Sequence, residues 1–232
     1  MVAKETVIVG AGIGGVAAAL ALQRRDIPVR IYEQASMLTE VGAGLHMSPN
    51  ALHVLYALGL KAVLNEVQFQ PAAIATRHYK TGITNFKSPL DETFRKKFGA
   101  SYLEFHRADL HNALISAAQA NDPDVIVLNK RVVAVTETDH HVELSFQDGS
   151  STRTATAIAA DGVHSMMRSV LHGELGAEFT GHVAYRGLVS SEILGTDIVS
   201  DDVNLWVGPA KHVVAYYIRR GELLNYVALV EE

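Results

Sequence analysis

The most specific chemical pattern in the chain is a glycine-rich turn. Gly10, Gly12 and Gly15 form G-x-G-x-x-G, with Ile13 and Gly14 inside it, between the β-branched segment "TVIV" and an alanine-rich segment. In such a turn the first glycine permits a tight bend, the second lets the backbone approach a pyrophosphate, and the third allows close packing of helix on strand. A helix packed closely on a sheet without any ligand has a similar pattern, so the turn alone leaves both alternatives open.

An acidic residue at a suitable distance strengthens the phosphate interpretation. Glu33 lies at the end of a second apolar segment, 18 residues after Gly15. A carboxylate at an offset of roughly 20 residues accepts hydrogen bonds from ribose hydroxyls, and it repels a 2′-phosphate. The two features together predict a dinucleotide site for NAD or FAD rather than NADP. The alternative for Glu33 is a surface carboxylate at a strand end.

The elements around these residues predict an α/β fold. Strand, helix and strand (Val29 to Glu33) at the start imply a parallel pair with a crossover. Apolar residues at helical spacing predict a helix within 49–66, with Gly59 as its end, and another from about Ala108. Residues 71–90 predict an antiparallel hairpin broken at "KTG". The segment ending at "AIAADG" predicts a β-meander with a "QDGS" turn and a buried last strand, and the chain from 176 onward is strand-rich.

Composition excludes several function classes. The 232 residues are 48% hydrophobic and 19% charged, which is typical of a globular protein. The net charge of −5, without a basic block, argues against a nucleic-acid partner. The absence of cysteine excludes disulfides and thiolate zinc sites, and no histidines and acids have a familiar metal spacing, so we expect no metal and a cytoplasmic location. The apolar run at 6–23 contains four glycines and is too short to span a membrane.

A second motif distinguishes between the two dinucleotides. "AIAADGVHSMMR", with Asp161, Gly162, Ser165 and Arg168, resembles the Asp-Gly motif of flavoprotein aromatic hydroxylases, which in that family serves FAD and NAD(P)H binding. Arg107 in "EFHRADLHNAL" matches a position from which that family directs an arginine towards the FAD. A plain turn and a surface salt bridge are the respective alternatives.

The order of motifs along the chain resembles the salicylate hydroxylase and 6-hydroxynicotinate 3-monooxygenase branch of this family, over essentially the whole chain. The resemblance implies a para-hydroxybenzoate hydroxylase-like architecture. A Rossmann-like FAD-binding domain of residues 1–67 and 98–175 is interleaved with an antiparallel-sheet substrate domain of residues 68–97 and 176–232. It also implies FAD as cofactor, NADH or NADPH as co-substrate, and O2-dependent hydroxylation of a hydroxylated aromatic or pyridine carboxylic acid, with loss of the carboxylate in some relatives.

Three residues are candidates for the substrate site. The resemblance puts His46, in "VGAGLHMSPN", beside the reacting ring. Alternate residues of a strand share a face, so His212 and Tyr216 of "KHVVAYY" point together, and the family enzyme that acts on 6-hydroxynicotinate has a similar pair. The resemblance implies that this pair takes the proton of the substrate hydroxyl, with His46 as orienting partner or alternative base. Backbone bonding of His46 and cross-strand packing of the pair are the alternatives.

The end of the chain gives a further expectation. Relatives in the resembling family continue past the equivalent of "NYVALVEE" into a helix-rich segment and a Gly-Asp motif that contacts the flavin. We therefore expect an N-terminal, C-terminally incomplete part of the enzyme that binds flavin weakly and does not turn over by itself. Two rival functions stay open, namely an NAD-dependent dehydrogenase and a catalytically inactive dinucleotide-binding fragment.

Overall fold

The computed structural model of the chain describes residues 5–39, 42–173, 176–195 and 199–232. The strands are β1 (Thr6–Val9), β2 (Val29–Tyr32), β3 (Gly44–Met47), β4 (Ala73–His78), β5 (Thr84–Pro89), β6 (Leu103–His106), β7 (Ile126–Val127), β8 (Val132–Glu137), β9 (Val142–Phe146), β10 (Ser151–Thr154), β11 (Ala157–Ala159), β12 (His182–Ser190), β13 (Val203–Gly208), β14 (Lys211–Ile218) and β15 (Leu223–Glu231). The helices are α1 (Ile13–Gln23), α2 (Pro49–Ala57), α3 (Lys61–Asn65), α4 (Glu92–Phe98), α5 (Arg107–Asn121), α6 (Met166–His172) and α7 (Ser191–Leu194), with a 3₁₀ helix at Arg219–Gly221.

The chain divides into two compact units. The first consists of Met1–Glu40 and His111–Ala177, and the second of Val41–Leu110 and Glu178–Glu232. Each unit is therefore built from two separate stretches of sequence, as the predicted interleaving requires.

The first unit is built on a parallel sheet with the strand order β11-β1-β2-β7. The two central strands carry most of its buried residues, and Val7 and Ile8 of β1 are fully inaccessible to solvent. The predicted order of strand, helix and strand is confirmed in β1, α1 and β2. The second strand ends at Tyr32, so Glu33 follows the strand instead of belonging to it.

A three-stranded meander, β10-β9-β8, packs in the same unit. Its core cluster includes Val7, Leu144, Phe146 and Met167, which join the parallel sheet to the meander and to α6. Gly149 takes a φ of +83° in the predicted "QDGS" turn. The strand predicted to end the meander, β11, does not belong to it. It pairs in parallel with β1 and forms the edge of the parallel sheet.

The second unit contains a six-stranded sheet with the order β12-β15-β14-β13-β4-β5. Its pairs are antiparallel except for β4 with β13. The hairpin predicted at 71–90 is confirmed as β4 and β5. The helical region predicted at 49–66 is split into α2 and α3, because Gly59 takes a φ of +86° after α2.

A small sheet of β3 and β6 also belongs to the second unit. The predicted domains assigned 41–67 and 98–110 to the FAD-binding part, whereas the contacts group these residues with the second unit. These residues group with the second unit because of contacts made by β3. This strand pairs antiparallel with β6, and the N–H of Gly44 donates to Oδ1 of Asn225 on β15 at 2.8 Å. The assignment of a function to each domain stays a prediction.

Candidate functional site

Two glycines of the glycine-rich turn are required for steric reasons. Gly10 has a φ of +101°, and a Cβ added there would lie 2.4 Å from the carbonyl oxygen of Ala160. A Cβ added at Gly15 would lie 2.0 Å from the carbonyl oxygen of Gly10. Both positions therefore exclude any side chain, in agreement with the tight turn and the close helix packing that the sequence predicts.

Gly12 is different, because a Cβ added there would meet no heavy atom within 4 Å. Gly12 is the N-cap of α1, where the first backbone N–H groups lack intrahelical acceptors. It lines a cleft of about 1190 Å³ together with Gly10, Glu33, Asp161 and Gly162. The open space at a helix N-terminus is what the approach of a phosphate group requires.

The carboxylate of Glu33 is held by the backbone of the same unit. Its Oε2 accepts the N–H of Ala11 at 2.8 Å, and its Oε1 accepts the N–H of Ala35 at 2.9 Å. Each oxygen keeps a second lone pair, and the side chain also lines the cleft. The carboxylate is therefore fixed in orientation and still able to accept hydrogen bonds from a diol.

Asp161 and Gly162 lie in the turn that precedes α6. The carboxylate of Asp161 accepts the hydroxyl of Ser165 at 2.6 Å and the N–H of Met167 at 3.1 Å, and Oγ of Ser165 accepts the N–H of Arg168 at 2.9 Å. Gly162 has a φ of +82°. The acid of the Asp-Gly motif thus shapes the turn that borders the cleft, and direct contact of this acid with a cofactor stays a prediction.

In the second unit His46 is paired with a buried acid that the sequence analysis did not single out. His46 on β3 lies directly across from Glu104 on β6. Nδ1 of His46 is 2.9 Å from Oε1 and 2.8 Å from Oε2 of Glu104. The Glu104 side chain is 0% exposed, whereas that of His46 is 35% exposed. Burial raises the pKa of Glu104 above its usual value, and the hydrogen bond and charge of His46 offset only part of this rise.

Two tyrosines enclose this pair. The ring of Tyr216 on β14 lies 4.1 Å from that of His46, centroid to centroid, and the ring of Tyr102 lies 6.0 Å from it. Burial and, to a smaller extent, the charge of Glu104 together raise the pKa of Tyr102 to about 12. Burial, Glu104 and Tyr102 likewise raise the pKa of Tyr216, against a lowering by Arg186. Both phenols are therefore protonated donors at neutral pH.

The position of Tyr216 shows which face of the six-stranded sheet meets His46. Directly paired residues of neighbouring strands face the same side, and Tyr216 pairs with Asn225. A Cβ added at Gly44 would lie 2.6 Å from the Tyr216 hydroxyl and 2.8 Å from Cγ of Asn225, so β3 packs directly on this face. The buried Nδ2 of Asn225 has no hydrogen-bond acceptor among the described residues.

The same face carries His212 and Arg186. His212 shares the face with Tyr216, as the sequence predicts, but the two residues are four apart on β14, or about 13 Å along the strand. Arg186 lies on the same face, because it pairs with Val227, which in turn pairs with Val214, two residues from Tyr216. The structure thus brings His46 and Tyr216 into contact, while a joint action of His212 and Tyr216 stays a prediction.

Arg107 begins α5, as predicted, and belongs to the second unit. Its backbone N–H donates to the carbonyl of Ala43 at 2.9 Å. Its predicted contribution to cofactor binding stays a prediction.

Comparison with known proteins identifies the family. Residues 3–227 match the family model described as "FAD binding domain". The chain belongs to this family of FAD-binding domains. Since FAD contains a pyrophosphate and an adenosine ribose, the cradle at Gly12 and the oriented carboxylate of Glu33 fit the group that the family binds.

Curated relatives of this FAD-binding family member are aromatic-ring monooxygenases by name. A 3-hydroxybenzoate 6-hydroxylase from Polaromonas naphthalenivorans is 35% identical over 95% of this chain and 55% of its own length. A 6-hydroxynicotinate 3-monooxygenase from Bordetella bronchiseptica is 33% identical over 97% of this chain and 58% of its own length. A 3-amino-4-hydroxybenzoate 2-monooxygenase from Streptomyces platensis, PtmB3, is 34% identical, covering 96% of this chain and 55% of its own length. The chain therefore spans a little more than half the length of these relatives.

Solved structures share the fold. Klebsiella pneumoniae HpxO complexed with FAD and uric acid superposes with a TM-score of 0.85 at 25% identity, over 98% of this chain and 56% of the other. A salicylate hydroxylase substrate complex superposes with a TM-score of 0.79 at 25% identity, over 98% of this chain and 56% of the other. The predicted fold class and the resemblance to flavoprotein hydroxylases are both confirmed. Within the described residues, no helix is long and apolar enough to cross a membrane.

The sequence analysis missed Glu104, Tyr102, Asn225 and Arg186. One signal was available, because Glu104 is a charged residue in the short segment "LEFH", all of which is buried. A charged residue in a buried strand nearly always has a partner, but the sequence does not name that partner. The partner, His46, is 58 residues away in the chain.

Proposed function

We propose that the protein is a cytoplasmic FAD-dependent monooxygenase that uses NADH or NADPH and O2 to hydroxylate a hydroxylated aromatic or pyridine carboxylic acid. The observation that carries this proposal is the cluster in the second unit, in which a partly exposed His46 is supported by the buried Glu104 and touches Tyr216. A supported imidazole suits the removal of a proton from a ring hydroxyl. Three relatives agree with this chemistry, because each is named after a substrate that is an aromatic acid with a hydroxyl group.

The first unit would hold the cofactor. The N–H groups at Gly12, Ile13 and Gly14 would bind the pyrophosphate, and Glu33 would accept the ribose hydroxyls. The Asp161 turn and Arg107 are further predicted contacts. Bound FAD would supply the redox chemistry, taking electrons from the nicotinamide and passing one oxygen atom of O2 to the ring.

The second unit would prepare the substrate. Removing the proton of the ring hydroxyl raises electron density at the carbons ortho and para to it, where oxygen is added. We assign the acceptance of this proton to Nε2 of His46. Tyr216 and Tyr102, whose phenols stay protonated, would donate hydrogen bonds, and Val214 and Val227 would exclude water from one side of the ring.

Arg186 would set the preference for acids. Its guanidinium forms no ion pair within the described residues, and it acts electrostatically on Tyr216 from the same sheet face. An unpaired guanidinium is a good partner for a carboxylate, which it binds through two hydrogen bonds. A ring with a hydroxyl group near His46 and a carboxylate near Arg186 satisfies both groups.

The test is substrate-stimulated NADH and NADPH oxidation by the protein in its full natural length, screened across hydroxybenzoates and hydroxypyridine carboxylates, with products identified by mass. We expect at least one acid to accelerate oxidation and to gain one oxygen atom. Arg186→Gln should raise KM for that acid by roughly 10- to 100-fold, since a hydrogen bond to a charged group contributes about 1.5–3 kcal/mol.

The matched substrate control is the same ring without its carboxylate. Its KM should be the same in Arg186→Gln and in the unchanged protein. Equal KM changes for acid and phenol would remove Arg186 from substrate binding. Oxidation that no hydroxylated ring stimulates would overturn the proposed function itself.

A further inference from the structure

We infer that Glu104 is a positioning residue that acts through His46, holding Nδ1–H of the imidazole so that Nε2 is the atom that accepts the proton of the substrate hydroxyl. This inference rests on the proposed function and deepens it. It moves the proton acceptor from the His212 and Tyr216 pair to a glutamate-supported histidine.

The geometry of Glu104 is fixed from two sides. On the backbone, its N–H donates to the carbonyl of Phe69 at 2.8 Å and its carbonyl accepts the N–H of Phe69 at 2.9 Å. On the side chain, both carboxylate oxygens lie within 2.9 Å of Nδ1 of His46. His46 is thus held by a residue that cannot shift without breaking a strand bridge, and the same contact selects the tautomer with the proton on Nδ1.

Burial decides what Glu104 can do. Its side chain is 0% exposed, so it does not itself reach a substrate, whereas 35% of the His46 side chain is exposed. Nδ1 of His46 lies close to both carboxylate oxygens but has a single N–H, and no second donor among the described residues satisfies Oε2 of Glu104. A buried carboxylate that lacks a second donor is stabilised by positive charge on its neighbour. It therefore favours the imidazolium that forms when His46 takes a proton.

The neighbouring groups leave this role to His46. Tyr102 precedes β6 and Tyr216 lies on β14. Burial and the charge of Glu104 raise the pKa of both, so neither phenol competes as a proton acceptor. A cation, Arg186 on β12, acts electrostatically on Tyr216. The arrangement resembles, in its chemistry, an acid that orients a histidine base.

The first test is spectroscopic and needs no turnover. The full-length protein is labelled with ¹⁵N-histidine, and the His46 signals are assigned by their loss in His46→Gln. We expect neutral His46 to carry its proton on Nδ1 in the unchanged protein and in Glu104→Asp. In Glu104→Gln, whose amide can either accept or donate, we expect a mixture of both tautomers. The Nε2–H tautomer in the unchanged protein would overturn the inference.

The second test is kinetic. With the acid that the screen identifies, Glu104→Gln should lower kcat by about 10- to 100-fold, a part of what a general base contributes, with little change in KM. Glu104→Asp should restore most of kcat, because it restores the negative charge. Glu66→Gln, which changes an exposed acid of the same unit, should match the unchanged protein. FAD affinity, measured by flavin fluorescence, reports whether each variant is folded.

The outcomes separate the inference from the proposed function. If the unchanged protein hydroxylates no ring, the proposed function fails, and the tautomer spectrum still reports on the Glu104 and His46 pair. If it hydroxylates a ring but folded Glu104→Gln keeps its kcat, the proposed function stands and the positioning role is wrong. A rise in KM alone would also contradict it, because that would make Glu104 a determinant of substrate affinity.

Discussion

Replacing Gly12 with aspartate is expected to weaken FAD binding by at least about 100-fold while leaving the protein folded. A side chain at this position meets no neighbouring heavy atom, so the substitution causes no clash within the protein. It does fill the open space at the N-terminus of α1 with a negative charge. Two like charges about 4–5 Å apart at a partly screened site repel by roughly 3–4 kcal/mol, which corresponds to 100-fold or more in affinity.

The matched control for this prediction is Gly176→Asp. Gly176 belongs to the same unit, and a Cβ added there also has no heavy atom within 4 Å. It does not line the cleft at the glycine-rich turn. The dissociation constant for FAD, measured by flavin fluorescence in the full-length protein, should change in Gly12→Asp and not in Gly176→Asp. Equal affinities in the two variants would place the pyrophosphate somewhere other than this turn.

Replacing His46 with alanine is expected to lower kcat for hydroxylation by about 10²–10⁴-fold, the usual contribution of a general base. FAD affinity should not change, since His46 is not one of the residues that hold FAD in this account. The loss should appear in kcat because the proton transfer matters most in the transition state. Stopped-flow and steady-state measurements with the best acid of the screen provide the test.

The comparison variant is His212→Ala. The family resemblance assigned proton transfer to His212 and Tyr216, whereas the ring in contact with Tyr216 is that of His46. We therefore expect a smaller loss of kcat in His212→Ala than in His46→Ala. The reverse order would return the role of base to His212.

Local patterns predicted the elements of the first unit well. The requirement for glycine at 10 and 15 follows from contacts within one strand-turn-helix segment, and those contacts are present. The same holds for the hairpin of β4 and β5, whose two strands are close in sequence. Such features depend on residues a short distance apart, so spacing and residue type are sufficient to indicate them.

The second unit depends on pairings between distant segments. Glu104 meets His46 through the pairing of β3 with β6, and Gly44 meets Asn225 across 181 positions. Nothing in the residues near 46 specifies which strand will lie opposite. For the same reason spacing alone does not show that β3 packs with the second unit, because this packing follows from its pairing with β6.

The most direct measurement is a crystal structure of the full-length protein with FAD and the acid selected by the screen. We expect the pyrophosphate at the N–H groups of Gly12 to Gly14, the ribose on Glu33, and the ring hydroxyl within ~3 Å of Nε2 of His46. A nucleotide bound away from the glycine-rich turn, or a ring that leaves the imidazole of His46 in bulk solvent, would contradict the account.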